Sequence, residues 1–412
     1  METEIKKDKQ YYKFCAYGFL KNLRFFEPFF LLFLLEKGFS FTQIGVLFAI
    51  RSLLINFLEI PTGVISDSIG RKRAMLFSFG AYIVSFVIFY LSNSFLLFVF
   101  AMIFFSFGET FRSGTHKAMI MEYLKLKNWE SIKVNYYGHT RSASQIGSAI
   151  SSLIAAALVF YTKSYSIIFL ASTIPYILDL LNLATYPSEL DGETKKLKWN
   201  EVKKQFVVVL KETFHSFKNR RYIKILINSS FYAAYYKSLK DYIQPIIKTM
   251  ALGFPFLLVY DNKQRAAFFI GVIYFFVYLI NSFASRRASA FQNLFKNKDL
   301  PLNLTMFFGF FLGILTGFFY EFNIYYLSIL FFIFIFVIEN VRKPMAVSKV
   351  SDEIDSKNMA TGLSVESQLE SIFTSLIVFM TGFFADIFNV GVAILIVSFS
   401  SVVFGYFIKI KD

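Results

Sequence analysis

Cysteine is almost absent from this chain: among 412 residues Cys15 stands alone. A single thiol excludes a disulfide framework and any multi-cysteine metal centre, and in an apolar stretch it reads as packing. Histidine is nearly as scarce, and His116, His139 and His215 are too scattered to mark a metal site. No GxxxxGK[ST] run is present, so no ATP-hydrolysing loop is encoded, and HExxH and GxSxG are missing too. These gaps argue against an enzyme and imply neither a cofactor nor a metal. Acidic residues are also short, 28 against 43 Lys and Arg, for a formal charge of +15. In a polar chain that excess would suggest nucleic acid. The apolar content gives it a different meaning.

Hydrophobic residues make up 56% of the chain and aromatic residues 20%. An average soluble domain is about 45–50% apolar, because its surface must stay polar. The apolar residues gather in runs nearly free of charge, among them 29–35, 74–91, 95–107 and 325–338. A bilayer core about 30 Å thick needs about 20 residues of apolar helix to cross it. On that measure the chain is an all-α membrane protein with twelve transmembrane helices, at roughly 11–35, 42–66, 73–93, 95–122, 138–161, 165–187, 222–249, 265–285, 301–320, 323–343, 360–385 and 389–409. Lys and Arg concentrate before span 1 and after the even-numbered spans, as in Arg71, Lys72 and Arg73 or Arg286 and Arg287. The positive-inside rule then predicts both termini in the cytoplasm. The charged start, Met1 to Gln10, has no apolar core of the kind that marks a cleaved signal peptide. The wealth of Phe, Ile, Lys and Asn fits an AT-rich genome, and the expected site is the cell (inner) membrane of a prokaryote.

The longest polar stretch, 188–221, divides the spans six and six. Within it Trp199, Val202, Phe206, Val209, Leu210, Thr213 and Phe217 recur at helical spacing, with Lys203, Lys204, Lys211 and Lys218 between them. That pattern predicts either an amphipathic helix on the cytoplasmic membrane face or a solvated linker helix. The expected division is a six-helix bundle over 1–187, a linker over 188–221 and a second six-helix bundle over 222–412. The halves share motifs in the same order. Lys21-Asn22-Leu23-Arg24 with Glu27-Pro28 answers to Lys237-Ser238-Leu239-Lys240 with Gln244-Pro245. Glu109-x-x-Arg112 answers to Glu339-x-x-Arg342, and Ser144-Gln145-Ile146 with Ser152 answers to Ser367-Gln368-Leu369 with Ser375. Such pairs predict two pseudo-symmetric bundles in parallel orientation.

After span 2 the chain reads Gly63-Val64-Ile65-Ser66-Asp67-Ser68-Ile69-Gly70-Arg71-Lys72-Arg73. This resembles the GxxxDxxGRK/R loop of the major facilitator superfamily (MFS), and it stands in the right place, between spans 2 and 3. With twelve spans and paired halves, the resemblance covers nearly the whole chain. It implies a transporter working by alternating access, with Gly63, Asp67, Gly70, Arg71 and Glu122 forming a gating loop. Gly63 would allow close helix approach and Gly70 a tight turn. Asp67 would meet the N-terminal end of a neighbouring helix, which the resemblance places at span 11, and Arg71 would reach Glu122. In span 5, Ser151 and Ser152 stand where the family's drug exporters carry Gly-Pro, which speaks against drug export.

Charged residues inside predicted spans are costly and normally face a cavity or each other. Here they fall on spans 1, 4, 7 and 10, the helices that line the central cavity in the superfamily. Lys21, Arg24, Arg112, Gln145, Lys237, Lys240, Gln244, Arg342 and Gln368 are the candidate substrate-binding residues. At helical spacing Lys21 would share a face with Arg24, and Lys237 with Lys240 and Gln244. Glu109, Arg112 and His116 would form a further stripe, and Arg141 would extend the polar lining on span 5. Glu27, Glu109, Asp241 and Glu339 are the candidates for proton coupling or charge pairing, with Glu27 and Asp241 preferred for the proton, which the resemblance implies as the coupling ion. The basic excess points to a small anionic or zwitterionic solute. The plainer alternative is that the acids merely neutralise the bases. Competing functions are a proton-driven multidrug exporter, a lipid flippase, and a non-transporting sensor or receptor with the same fold. The expected partners are a small-molecule substrate, protons and the lipid bilayer, with no nucleic acid, for a monomeric protein. Asp179 in span 6 has no obvious partner.

Overall fold

The computed structural model describes residues 7–191, 200, 203, 207, 220–297, 299–352 and 359–410. Among these residues no strand occurs. A bilayer offers no water to unpaired backbone groups, so a helix, which satisfies its own, is the form such apolar runs take. In chain order the first half comprises α1 (Lys9–Lys21), α2 (Phe30–Glu36), α3 (Phe41–Ile69), α4 (Arg71–Leu91), α5 (Phe95–Arg112), α6 (Thr115–Leu126), α7 (Lys133–Thr162) and α8 (Ile167–Ala184). The second half comprises α9 (Arg220–Leu239), α10 (Ile243–Gly253), α11 (Asn262–Gln292), α12 (Asp299–Glu321), α13 (Tyr325–Asp352), α14 (Met359–Ile387) and α15 (Val390–Ile408). The expected linker helix over 188–221 lies largely outside the described residues, although Ser188–Asp191 forms a 3-10 turn.

Among the described residues ten helices are long and apolar enough to cross a membrane. The other two expected crossings are each broken. Span 1 is α1, a 3-10 turn at Glu27–Phe29, and α2. Span 7 is α9, a 3-10 turn at Lys240–Tyr242, and α10. Pro28 and Pro245 stand beside these breaks, where a missing N–H costs least. The breaks correct the expected charge stripes. Lys21 closes α1 and Arg24 lies beyond it, while Lys240 and Gln244 lie past the end of the helix that carries Lys237. The Glu109–His116 stripe is likewise cut, because Gly114, at φ 74°, separates α5 from α6.

By contact the chain divides into two compact units, Met1–Pro28 with Phe57–Gln205, and Phe29–Asn56 with Phe206–Asp412. In the first unit a cluster of rings joins Phe26, Tyr82, Phe86, Phe105, Phe169 and Tyr176. Ser78 and Ser85 of α4 donate to the carbonyls of Gly108 and Ala101 on α5, at 2.6 and 2.8 Å. Gly147 of α7 runs so close to α1 that a Cβ there would lie 2.6 Å from the carbonyl oxygen of Phe19.

Phe29–Asn56 belongs to the second unit through capping of its own helices. The Gln244 amide oxygen accepts from the N–H groups of Leu31 and Leu32 in the first turn of α2, at 3.0 and 3.4 Å. Both Asp386 carboxylate oxygens accept from the N-terminus of α3, from Phe41 at 2.8 Å and Thr42 at 2.7 Å. Orphan amides at helix starts need such partners.

Candidate functional site

The centre of the first unit is built on Glu109. Its Oε2 accepts from Arg112 Nη2 at 2.5 Å, and its Oε1 from Arg24 Nη2 at 2.8 Å. Arg112 also donates from Nε to the Tyr82 hydroxyl at 3.2 Å. Two guanidiniums thus share one carboxylate. Beside it lies a cavity of about 300 Å³. Four cationic side chains line it, Lys21, Arg112, Lys117 and Arg141, together with His116 and Gln145, and no carboxylate does. Tyr17 and His116 stack in its wall, with ring centroids 3.5 Å apart. His116 Nε2 lies 3.2 Å from the Tyr186 hydroxyl.

Of the residues predicted from sequence, this cavity gathers Lys21, Arg112, His116, Arg141 and Gln145. Arg24 is not among its lining and is held on Glu109. Lys117 escaped the sequence reading. It follows the noted His116, so it fell off the stripe being traced, and its ammonium sits over the Tyr137 ring at 5.7 Å.

The second unit holds a smaller cavity, about 100 Å³, lined by Glu339, Glu366 and Glu370 with Ser229, Arg342 and Lys343. Ser229 donates to Glu366, and Lys237 pairs with Glu370. Glu339 is 6% exposed, with neither a hydrogen bond nor an ion pair among the described residues. Glu366 and Glu370 lie on α14 beside Gln368, which is not part of this lining.

Four expectations need correction. Arg342 is 1% exposed, and its guanidinium is taken up within the helix packing. It donates to the Leu302 carbonyl, to Thr305 Oγ1 at 3.2 Å, and to Asn228 O and Oδ1 at 2.9 and 2.5 Å. It also lies over the Tyr232 ring at 5.0 Å, leaving little of the guanidinium for a substrate. Gln244 is fully buried and occupied by α2 and by Tyr274 at 3.3 Å. Lys240 and Asp241 sit in the 3-10 turn between α9 and α10, with Asp241 buried, and neither lines the second cavity.

The fourth correction concerns Gly63 and Asp67 in the loop after α3. Gly70 is the N-cap of α4 at φ 97°. Among the described residues nothing lies within 4 Å of a Cβ placed on Gly63, so that glycine mediates no close approach between them. Arg71 lies 3.7 Å from Glu122 and 4.0 Å from Asp67, whose side chain is 65% exposed. The acid held at the start of α4 is Asp191, not Asp67. Asp191 Oδ1 accepts from the Lys72 N–H at 2.6 Å, and its carboxylate packs against Gly70 where a Cβ would collide at 2.9 Å. The Lys72 ammonium ties the same region to the Tyr186 carbonyl at 2.7 Å. Asp191 lies at the start of the polar middle stretch, and no motif marks it.

A family model described as Major Facilitator Superfamily matches residues 14–366. The chain is similar to an uncharacterized MFS-type transporter, YxaM, of Bacillus subtilis (strain 168), at 22% identity over 260 residues, 60% of this chain and 62% of that protein. The match therefore spans less than two thirds of that relative. Among solved structures the chain is similar to the nucleoside transporter NupG, with a TM-score of 0.77, 13% identity and coverage of 97% and 98% of the two chains. It is also similar to a POT family transporter in complex with 5-aminolevulinic acid, with a TM-score of 0.70, 13% identity and coverage of 98% and 96%. At these identities the likeness is one of fold.

Proposed function

Since the chain belongs to the major facilitator superfamily, we propose that this membrane transporter is a secondary active carrier of a small anionic or zwitterionic solute, working by alternating access and coupled to protons. The observation that carries the reading is the lining of the first cavity: Lys21, Arg112, Lys117 and Arg141 with no carboxylate. Four cations gathered on one cavity attract a counter-charge, and a planar guanidinium recognises carboxylate, sulfate or phosphate through paired N–H groups. The Tyr17–His116 stack adds an aromatic wall for the apolar body of such a solute. A drug pocket would be apolar, and this lining is not.

Proton coupling needs a carboxyl that changes charge within the membrane. Glu339 has the position for it, buried beside Glu366 and Glu370 and without a cation bonded to it. Glu27 and Asp241 are the further candidates by sequence. In this proposal the protein works as a monomer in the inner membrane of a prokaryote, with both termini in the cytoplasm, and carries out no covalent chemistry.

The test uses the purified full-length protein. Sulfate, acetate and glutamate are screened for thermal stabilisation against uncharged glycerol, since a ligand that binds the folded state raises its stability. At least one anion is expected to stabilise, and that anion should enter proteoliposomes faster under an inward proton gradient. Stabilisation by none of the anions, or uptake indifferent to the gradient, sinks the reading.

A further inference from the structure

Asp179 of α8 takes no part in the cavity lining, yet it is fully buried, at 0% exposure. Its Oδ1 accepts from Asn182 Nδ2 at 3.3 Å, and its Oδ2 has no hydrogen-bond partner among the described residues. No cation forms an ion pair with it among the described residues. A bare carboxylate so placed is one of the costliest groups a membrane protein can hold, whereas the neutral acid is tolerated.

Asp179 is also connected to the first cavity. His116 in the cavity wall lies 3.2 Å from the Tyr186 hydroxyl, which donates to the Lys13 carbonyl at 3.2 Å. The same carbonyl accepts from Asn182 Nδ2 at 3.0 Å, and Asn182 holds Asp179. A backbone carbonyl cannot relay a proton, so this chain positions the carboxyl and does not conduct to it. Tyr176, one turn before Asp179 on α8, donates to the Lys21 carbonyl at 3.3 Å, so α8 is tied to the part of α1 whose Tyr17 and Lys21 line the cavity. The charged and titratable groups on the elements packed on α8, and next to those, are Lys13, Tyr17 and Lys21 on α1, Lys72 and Tyr82 on α4, Glu109 and Arg112 on α5 with Arg24 bonded to Glu109, His116 on α6, and Tyr176 and Tyr186 on or just beyond its own helix. α7, which also packs on α8, carries Tyr136, His139 and Arg141.

We propose that Asp179 is a proton-binding site, and that its occupancy sets how strongly the cations of the first cavity hold an anion. When a proton from water binds Oδ2, an O–H bond forms, the carboxyl becomes neutral, and one negative charge that competes with an anion for Lys21 is removed. When the proton leaves, the carboxylate restores that charge and the anion is held less tightly. Anion binding in this cavity is then linked to a proton on Asp179, a second titrating carboxyl besides Glu339. This inference rests on the anion-carrier reading above.

Two measurements on the full-length protein in lipid vesicles separate the inference from that reading. Infrared spectra taken as a function of pH should show the carbonyl stretch of a protonated carboxyl that is missing in Asp179→Asn and moved in frequency in Asp179→Glu. Sulfate, fully ionised across the working range, should bind wild type more weakly as pH rises, by up to about tenfold per pH unit for one linked proton, and bind Asp179→Asn with a flat profile. A protonated-carboxyl signal unchanged in both variants, or a pH dependence kept in Asp179→Asn, overturns the inference. If Asp179→Asn does not fold, the frequency of the signal in Asp179→Glu decides alone. If sulfate binds wild type at no pH, the anion reading has failed at this probe, and the infrared measurement still rules on Asp179.

Discussion

Arg112 holds Glu109 at 2.5 Å, but Arg342, on the same three-residue spacing, is not bonded to Glu339. The difference lies in what else each arginine can reach. Arg112 faces a cavity and the Tyr82 hydroxyl. Arg342 faces Asn228, whose carbonyl and side chain both accept from it. Asn228 is fully buried and has no counterpart in the motif that repeats between the halves.

The two glutamates should therefore respond differently to neutralisation. Glu109→Gln leaves Arg24 and Arg112 buried without their shared counter-charge, and breaking a buried pair costs about 3–5 kcal/mol. Glu339→Gln breaks no bond and should leave thermal unfolding nearly unchanged, while abolishing proton-driven accumulation and sparing solute exchange. Melting curves and proteoliposome flux check both halves of this statement.

Arg342→Lys should destabilise the protein by about 2–4 kcal/mol, because one ammonium cannot serve four acceptors on α9 and α12. Ligand preference should not change among molecules that still fold. A shift in preference would return Arg342 to the binding site.

Lys117→Gln and Arg141→Gln should each weaken anion binding severalfold with little effect on melting temperature. Both are exposed enough to be ordinary surface residues in a folding sense. The loss should shrink as ionic strength rises, since screening acts over about 8–10 Å at moderate salt. Isothermal titration at two salt concentrations measures it.

Gly70→Ala should cost about 1–3 kcal/mol, from a φ of 97° that side chains avoid and from collision with Asp191. Gly63→Ala should be neutral, although both glycines belong to the same motif. Unfolding midpoints of the two variants settle the contrast.

Much of the fold was legible because apolar runs and loop charges obey one dominant constraint, the bilayer. The breaks in spans 1 and 7 were harder to see. Pro28 and Pro245 were noted as part of a repeat, but a hydropathy window passes smoothly over a 3-10 turn of three residues. The candidate site was legible where a charge kept its intramembrane environment, as for Lys21 and Arg112. It was not legible where a long side chain turned into the helix packing, as for Arg342 and Gln244. Nothing in a single sequence says which face of α13 will meet Asn228. Asp191 was hidden for the opposite reason, as one acid in a polar stretch without periodicity.

The docking of Asp191 on the start of α4 has a mechanical consequence. The chain that leaves α8 at Ala184 is pinned again at Asp191, so residues 185–191 form a strap held at both ends. Load on this strap is borne by the Gly70 turn as well as by α8, and cutting the Asp191 bond would release one end of it without touching either cavity.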